Sequence, residues 1–266
     1  MEEVTITLQG GLGNYMFQIA TAHAYGLKHN KKPVLTTGDS VVIHKPLDTY
    51  RENILSNVHF SDKKSGNFLS YNELGFHYNE IPKIEGSVLL NGYFQSEKYF
   101  NEFSSEIKQL FSYPENISNE ILNKFIENGV YSSHQNTCSI HVRRGDYLNS
   151  PNHHPAQNMN FYMKAIKKMP KDTIFFIFSD DIEWCKANFP DVPEKFVFVE
   201  GGKDYEDLKM MSLCKNNIIC NSTFSWWAAW LNENPDKIVV VPDKWFGPAY
   251  AGYNTNDLYC ENWIRI

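Results

Sequence analysis

The sequence predicts an α/β protein built on parallel β-sheets. After residue 138, short β-branched or aromatic runs alternate with stretches that have the periodicity of amphipathic helices. The amino-terminal half repeats this alternation more weakly. With 266 residues, 42% of them hydrophobic, the chain can bury the core of one large domain or two modest ones. Alternating strands and helices are typical of a parallel sheet covered by helices on both faces.

The amino-terminal half begins with a strand predicted at 4–8, a tight turn at 10–13 and a helix at 14–28. Residues 38–85 lack clear periodicity and are rich in polar residues, so we expect loops and short helices there. A second sheet in this half, facing the first across a cleft, completes the expected architecture.

The carboxyl-terminal half is where the alternation is clearest. Strands are predicted at 139–142, 173–178, 196–199, 217–220 and 237–241. Helices are predicted at 159–169, 182–188, 205–215 and 223–232, with Asp204 as the N-cap of the third. Trp226 and Trp230 share one face of the last helix, and this spacing favours packing in the core over stacking on a sugar.

Charge and composition argue against several classes of protein. The 25 basic and 31 acidic residues leave a formal net charge of −6, and no Lys/Arg cluster longer than a pair occurs, so no nucleic-acid partner is expected. We expect a cytoplasmic protein with neither signal peptide nor transmembrane segment, and peripheral membrane association is left open. The five cysteines contain no Cys-x-x-Cys pair and are expected to be buried free thiols.

The most distinctive polar segment, 141–147, follows the strand predicted at 139–142. Ligands of open α/β sheets bind beyond the carboxyl ends of the strands, so this edge is expected to hold one. Arg143 and Arg144 would be costly to desolvate without an anionic partner, and a diphosphate offers oxygens to both forked guanidinium groups. An internal pairing with Asp146 that merely fixes the turn explains the same spacing equally well.

Two further polar segments also follow predicted strands. Asp180 and Asp181 end the strand at 173–178, and the chain contains no Asp-x-Asp pair of the kind that holds a metal. They are interpreted as acids that hydrogen-bond a ligand, or equally as a cap of the next helix. Residues 221–225 precede a helix whose amino terminus can bind an anion, although spacing alone favours an ordinary N-cap.

The turn that closes the first strand contains Gly11, Gly13 and Asn14. It lacks the third glycine of a dinucleotide-binding fingerprint and the lysine of a P-loop. Taken alone, it indicates only that backbone must come close to another group.

Together these segments resemble the α-1,2-fucosyltransferases of glycosyltransferase family 11. The matching stretches follow the family's order along almost the whole chain and lie at 10–14, 16–18, 92–100, 141–147, 178–181 and 221–231. Any one of them is weak, but the ordered set is highly specific. Tyr15 departs from the glutamine that most family members carry there, which puts the acceptor preference in doubt.

The resemblance implies a GT-B-like fold of two Rossmann-type halves, with residues 1–135 on the acceptor side and residues 136–266 holding GDP-fucose. It implies inverting, metal-independent transfer of L-fucose to the 2-hydroxyl of a terminal β-galactoside, in an oligosaccharide or polysaccharide precursor of a bacterial cell. No cofactor is expected. The alternatives are another GDP-fucose-dependent transferase with a protein or core-glycan acceptor, and a non-catalytic carbohydrate-binding protein.

The resemblance and the chemistry of transfer assign roles to these residues. Arg144 and Arg143 are expected to stabilise the departing diphosphate, because donors positioned at developing charge usually supply the largest catalytic contribution. Asp146 and His141 are the candidate general bases, with orientation of Arg143 as the alternative role of Asp146. The expected donor-binding set is Gly11, Gly13, Asn14, Asp180, Asp181, Asn221, Ser222, Thr223 and Ser225, with Asp180 and Asp181 at the guanine end.

Overall fold

The computed structural model describes residues 1–36, 41–42, 45–61, 66–127, 136–190, 192 and 195–266. The chain divides into two compact units. Unit 1 comprises Met1–Pro114 and Tyr253–Cys260, and unit 2 comprises Glu115–Gly252 and Glu261–Ile266. The division at 114/115 differs from the predicted 135/136, because helix 115–127 packs on unit 2. The ring of Phe125 in that helix lies 5.0 Å from the ring of Phe176.

Unit 1 is built on a parallel sheet of four strands. Its strands are β1 (Glu3–Ile6), β2 (Gln9–Gly10), β3 (Lys32–Pro33), β4 (Val41–Val42), β5 (Phe68–Asn72) and β6 (Ser87–Asn91), and its α-helices are α1 (Leu12–His29) and α2 (Ser104–Leu110). The sheet has the order β3-β1-β6-β5, and β2 pairs separately with β4. Prediction missed β5 because its side chains are mostly exposed and show no apolar alternation.

Helix α1 confirms the first predicted helix and forms much of the core of unit 1. It carries a nearly continuous buried surface from Leu12 to Gly26, as expected for a helix that packs against a parallel sheet. It ends at Asn30, whose backbone is left-handed with φ of 54° and whose N–H donates to the Gly26 carbonyl. A Cβ added to Gly26 would lie 2.7 Å from the Lys31 carbonyl oxygen, so this turn needs glycine.

Unit 2 contains a six-stranded parallel sheet of order β12-β11-β10-β7-β8-β9. Its strands are β7 (Thr137–Val142), β8 (Ile174–Ser179), β9 (Phe196–Phe198), β10 (Asn216–Ile218), β11 (Val239–Val241) and β12 (Ile264–Arg265), and its helices are α3 (Glu115–Glu127), α4 (Met159–Ile166), α5 (Ile182–Asn188), α6 (Asp204–Leu213) and α7 (Thr223–Leu231). All the strands and helices predicted for this half occur, with ends shifted by a few residues. The central strand β7 is buried along its whole length.

Strand register brings the predicted polar segments to one edge of this sheet. Val142 pairs with Ser179, and Ile140 pairs with Ile218. The strands β7, β8 and β10 therefore end within a few residues of one another, and the chain that follows each of them begins at the same carboxyl edge.

The remaining structural predictions have mixed outcomes. The prediction that Asp204 is an N-cap was wrong: Asp204 is the first residue of α6, and Lys203 is the N-cap. The Glu206 carboxylate accepts the Lys203 backbone N–H at 3.1 Å, so this contact fixes the helix start one residue earlier. All five cysteines are buried and free, as predicted. The rings of Trp226 and Trp230 are buried and stacked 6.3 Å apart, which confirms core packing.

No helix in the described ranges has both the length and the apolar character needed to cross a bilayer. A cytoplasmic location stays a prediction.

Candidate active site

The carboxyl edge of β7 and β8 carries both predicted arginines and three aspartates. We call this group, Arg143, Arg144, Asp146, Asp180 and Asp181, the arginine edge. Nη2 of Arg143 lies 2.8 Å from Oδ1 of Asp146, and its Nε lies 3.1 Å from Oδ2 of Asp180. Nε of Arg144 lies 3.0 Å from Oδ2 of Asp181. Both the ligand-binding interpretation and the internal pairing with Asp146 thus remain compatible with the contacts.

The two arginines are neither locked in the interior nor free in solvent. Their side chains are 31% and 18% exposed. Burial works against the charge on Arg143, but the Asp180 and Asp146 carboxylates outweigh it and hold its pKa above the ordinary value. Arg143 therefore stays a cation at any working pH.

The Arg144 guanidinium is held through its Nε atom and its face, and its two Nη atoms are not used in these contacts. Its Nε bonds Asp181, and its guanidinium carbon lies 4.0 Å from the centre of the Trp184 ring. No group within the described parts of the chain accepts a hydrogen bond from either Nη of Arg144. Each Nη carries two hydrogens, so an oriented fork of donors is available to an anion.

Asp180 and Asp181 position the arginines. Oδ1 of Asp180 accepts the backbone N–H of Arg144 at 2.9 Å, while its Oδ2 contacts Arg143. Oδ1 of Asp181 accepts the backbone N–H of Trp184 at 3.3 Å and so caps α5. A Cβ added to Gly145 would lie 2.7 Å from Oδ2 of Asp180, so this turn leaves no room for a side chain. Guanine recognition by the two aspartates stays a prediction.

His141 does not reach the arginine edge. It is 5% exposed, its Nδ1 lies 3.2 Å from Sγ of Cys220, and its ring packs 5.4 Å from the ring of Phe224. Burial, together with the charge of Arg143, lowers its pKa to about 3. These contacts are those of a packed core histidine and bring no acceptor hydroxyl within its reach.

Asn221 joins the start of α7 to its surroundings. Its Nδ2 donates to the Trp245 carbonyl at 2.9 Å, and its Oδ1 accepts from Nε2 of Gln157 at 3.0 Å. Its own carbonyl accepts the hydroxyl of Tyr147 at 2.9 Å. With both side-chain amide atoms and its carbonyl oxygen engaged, and 1% exposure, Asn221 holds the segment in place.

The hydroxyl residues that follow Asn221 differ in exposure. Ser225 is fully buried, and its Oγ donates to the Ser222 carbonyl at 3.3 Å. Ser222 is the N-cap of α7, with no hydrogen bond from its side chain to the helix, and Thr223 is half-buried. Thr223 is therefore the most accessible hydroxyl of this set, whereas Ser222 is 8% exposed and its side chain contacts Tyr147.

The predicted glycine turn lies in unit 1, at the start of α1. Gly10 has φ of +92°, and a Cβ there would lie 2.2 Å from Nδ2 of Asn14. Gly11 is the N-cap of α1, and Gly13 lies in its first turn. Oδ1 of Asn14 accepts from Nε2 of Gln95 at 3.0 Å. The turn is thus hydrogen-bonded to the stretch 92–100, another of the segments that resemble the family. Binding of the donor by this turn stays a prediction.

The side chain of Gln18 links the turns at 9–14 and 92–95 by hydrogen bonds. It is fully buried, and its Oε1 accepts the backbone N–H of Gln9 at 3.0 Å. Its Nε2 donates to the carbonyls of Gln9 and Gly92, both at 3.3 Å. We call the turns 9–14 and 92–95, with Gln18, the amide edge.

A carboxylate that sequence reasoning missed shapes the second of these turns. Glu73 accepts the backbone N–H groups of Tyr93 at 2.7 Å and Phe94 at 3.0 Å. Phe94 has a φ of 52°, which is uncommon for an aromatic residue. Burial raises the pKa of Glu73, and the two backbone donors oppose that rise. No local signal marked Glu73, because its partners lie about twenty residues away.

Trp184 was also missed, although a signal existed. It lies three residues after Asp181, and an N-cap and the residue three positions on are neighbours in the first helical turn. Asp181 and Arg144 follow neighbouring predicted strands. A tryptophan in the first helical turn after Asp181 is therefore a candidate to stack on Arg144.

A model of the glycosyl transferase family 11 matches residues 1–266. The chain belongs to glycosyl transferase family 11. This family 11 protein is thus a glycosyltransferase, as the sequence resemblance implied.

Two bacterial relatives match nearly the whole family 11 chain, and a mammalian one matches most of it. The O-antigen biosynthesis glycosyltransferase WbnK of Escherichia coli is 31% identical, over 97% of this chain and 99% of WbnK. An alpha-1,2-colitosyltransferase of Escherichia coli is 30% identical, over 100% of this chain and 99% of the relative. Galactoside 2-alpha-L-fucosyltransferase SEC1 of Bos taurus is 26% identical, over 85% of this chain and 64% of its own.

Solved structures share the fold. A NodZ alpha-1,6-fucosyltransferase crystal soaked with GDP-fucose has a TM-score of 0.56 and 15% identity, over 87% of this chain and 93% of NodZ. The apo form of POFUT1 has a TM-score of 0.52 and 11% identity, over 90% of this chain and 97% of POFUT1. Together with the parallel sheets, these similarities confirm the predicted α/β, GT-B-like fold class.

Proposed function

We propose that this family 11 enzyme transfers L-fucose from GDP-fucose to the 2-hydroxyl of a terminal β-galactoside, with inversion at the fucosyl anomeric carbon. The observation that carries the proposal is Arg144, oriented by Asp181 and Trp184 with its Nη donors unpaired among the described residues. Relatives named as α-1,2-fucosyl- and α-1,2-colitosyltransferases support the linkage.

The arginine edge suits a nucleoside diphosphate sugar. Negative charge builds on the diphosphate as the bond to the sugar breaks, and donors fixed beforehand stabilise that charge without reorganising. Arg143 is a permanent cation held by Asp180 and Asp146, and Arg144 offers the open fork. Ser222 and Thr223 at the start of α7 add hydroxyl and backbone donors. The soak of the NodZ crystal with GDP-fucose supports a guanine nucleotide sugar as the donor.

The transfer needs one bond to form as another breaks. The oxygen of the galactose 2-hydroxyl attacks C1 of fucose from the face opposite the diphosphate, and the C1–O bond to phosphate breaks with its electron pair leaving on the GDP. Positive charge on the fucosyl ring is greatest midway. The guanidinium groups neutralise the leaving diphosphate, the task that a divalent cation performs in other transferases. We therefore include independence from metal ions in the proposal.

The acceptor is proposed to be a galactoside within a polysaccharide precursor. The name of the relative WbnK, an O-antigen biosynthesis glycosyltransferase 31% identical to this chain, supports that class. We assign acceptor recognition to unit 1, whose amide edge offers neutral groups suited to sugar hydroxyls, and we leave the effect of Tyr15 on acceptor preference to experiment.

A second donor is favoured by one specific observation. The alpha-1,2-colitosyltransferase matches 100% of this chain at 30% identity. Colitose is L-fucose without the 3-hydroxyl, so a pocket that leaves that hydroxyl uncontacted accepts both sugars. The alternative function is transfer of colitose to the same 2-hydroxyl.

The deciding experiment incubates the purified enzyme with GDP-fucose or GDP-colitose and a panel of acceptors that includes lactose, other β-galactosides and a core glycan. The new linkage is located by NMR. We expect fucose on O2 of galactose, with α configuration from the β-linked donor. Faster transfer of colitose would select the alternative donor, and a product on another oxygen or another acceptor class would overturn the proposal.

A further inference from the structure

The contacts of the two predicted general bases favour other roles for both, and their assignment as bases stays a prediction. His141 is packed in the interior against Cys220. The Oδ1 atom of Asp146 receives both Nε and Nη2 of Arg143, at 2.9 and 2.8 Å. Through this oxygen Asp146 orients Arg143, and a proton taken by the carboxylate would weaken that ion pair. The proposed transfer releases a proton from the acceptor hydroxyl, so a base is best sought among groups beside the arginine edge that can receive it without breaking an ion pair.

His154 lies on the loop that continues from the arginine edge. A 3₁₀ helix at Asp146–Asn149 leads into this loop, and the His154 backbone N–H donates to the Ser150 carbonyl at 2.8 Å. The His154 ring stacks on Tyr147, with centroids 5.3 Å apart and planes 26° apart. On another side it meets Phe246 at 5.7 Å. Two aromatic contacts therefore fix the ring without consuming its nitrogens.

The position of Tyr147 links His154 to the arginines. Tyr147 is held by the hydrogen bond of its hydroxyl to the Asn221 carbonyl, and the guanidinium carbon of Arg143 lies 5.8 Å from its ring centre. One tyrosine ring thus contacts both the histidine and an arginine proposed to bind the diphosphate. Tyr147 therefore lies between His154 and an arginine proposed to bind the diphosphate.

The state of the His154 ring suits a proton acceptor. Among the residues that the structure covers, none hydrogen-bonds either ring nitrogen. Burial lowers the pKa of His154 below its ordinary value, an effect that Asp146 opposes and His153 reinforces. Tyr147, the remaining titratable group against the ring, stays protonated because burial raises its pKa. The ring is therefore neutral near pH 7 and half-exposed, with a lone pair available.

We propose that His154 is the general base of the transfer reaction, an inference that rests on the proposed function. A ring nitrogen of His154 takes the proton of the galactose 2-hydroxyl while that oxygen forms its bond to C1 of fucose. The C1–O bond to the diphosphate breaks, and GDP leaves with the electron pair. The imidazolium then releases its proton to water, which returns the enzyme to its starting state.

The test compares H154N with H153N. His153 is the neighbouring histidine, and its exposed ring packs 5.5 Å from Tyr250. For both variants and the unaltered enzyme, we would measure transfer to lactose, hydrolysis of GDP-fucose without acceptor, GDP affinity, melting temperature and the pH profile of kcat/KM. General base catalysis contributes typically 10²–10⁴-fold, so H154N should lower transfer by roughly a hundredfold or more. H153N should match the unaltered enzyme.

Two readouts separate a base from a structural residue. H154N should retain GDP affinity and donor hydrolysis but lose most of its transfer activity. Hydrolysis should persist because water, as the acceptor, does not depend on a base positioned for the galactose 2-hydroxyl. In the unaltered enzyme, kcat/KM for transfer should fall as pH drops through the lowered pKa of His154, because the protonated ring cannot accept a proton. That acidic limb should be missing in H154N and present in H153N.

Several outcomes overturn the inference. Near-normal transfer by H154N, an acidic limb unchanged in H154N, or loss of hydrolysis and GDP affinity together with transfer would each exclude His154 as the base. Should H154N fail to fold, the unaltered enzyme still decides: if kcat/KM for transfer shows no acidic limb at any pH at which the enzyme stays folded, the inference is contradicted. If the unaltered enzyme makes no fucosylated galactoside at all, the proposed function fails instead.

Discussion

The arginine edge of unit 2 and the amide edge of unit 1 are both carboxyl edges of parallel strands, yet they are built from different chemistry. The arginine edge holds two guanidinium groups against three carboxylates, all partly exposed. At the amide edge, neutral amides and backbone predominate, with buried Gln18 pinning two turns and Glu73 capping one of them.

This difference indicates that the charged groups of the arginine edge serve ligand binding, while the buried groups of the amide edge stabilise the fold of its two turns. Partly exposed ion pairs contribute little to stability, typically below 1 kcal/mol, but they keep oriented charge available for a ligand. Buried amide and carboxylate bonds to backbone are costly to break, because each loss strands a donor or acceptor. Substitutions at the arginine edge should therefore alter rate more than stability, and substitutions of the buried groups at the amide edge should alter stability in addition to any effect on the acceptor.

Replacing Arg144 should produce the largest effect. R144A removes a donor aimed at the leaving diphosphate, so kcat/KM for transfer should fall roughly a hundredfold or more, about 3 kcal/mol of transition-state stabilisation. R144K keeps the charge but loses the fork and should recover only part of the activity. Initial rates with GDP-fucose measure this, and R265A, which breaks the exposed pair with Asp243, is the control. Near-normal turnover by R144A would remove the basis of the proposed mechanism.

Replacing Gly92 should break the amide edge by destabilising it. Its φ is +157°, and an added Cβ would lie 2.4 Å from Cβ of Glu73, so G92A should lower the free energy of unfolding by about 3 kcal/mol. G86A is the control, because Gly86 also has a positive φ, of +83°, but nothing lies within 4 Å of the added Cβ, and it should cost about 1 kcal/mol. Urea unfolding measures both. Equal losses would show that contact with Glu73 is unimportant.

Replacing Trp184 should sharpen the comparison within the arginine edge. W184L removes the aromatic face under Arg144, a contact worth about 1 kcal/mol, so kcat/KM should fall roughly fivefold with little change in stability. W184F keeps an aromatic face and should restore most of the rate. If W184L and W184F were equally impaired, the ring would serve packing rather than orientation of the guanidinium.

Removing divalent cations should have the smallest effect. If the arginines alone neutralise the diphosphate, dialysis against EDTA leaves the rate of transfer unchanged, and added Mg²⁺ or Mn²⁺ does not raise it. The comparison is sharpest in R144A, where any stimulation by Mg²⁺ would report the missing positive charge. Loss of activity in EDTA with recovery on adding a metal would contradict the mechanism.

The elements of the carboxyl-terminal half, and the polar segments that share its sheet edge, could be predicted from the sequence alone. Strands such as β8 and β11 were predictable because buried parallel strands are short apolar runs, a property of neighbouring residues. The rule that ligands meet the carboxyl ends of strands then grouped Arg143, Arg144, Asp180 and Asp181 correctly. The glycine turn before α1 was likewise readable, because Gly10 adopts a backbone conformation that disfavours other residues.

The contacts of each side chain at those edges could not be predicted from the sequence, because they join residues that only the folded chain brings together. Asp180 contacts residues 36 and 37 positions away, Glu73 reaches a turn about twenty residues on, and helix α3 joins the second unit through a ring on β8. Side chains of β7 alternate between two faces of the sheet, and both faces are buried. His141, suggested as a base, is therefore packed in the core. Periodicity is local, whereas pairing, burial and proton affinity depend on neighbours that only folding brings together.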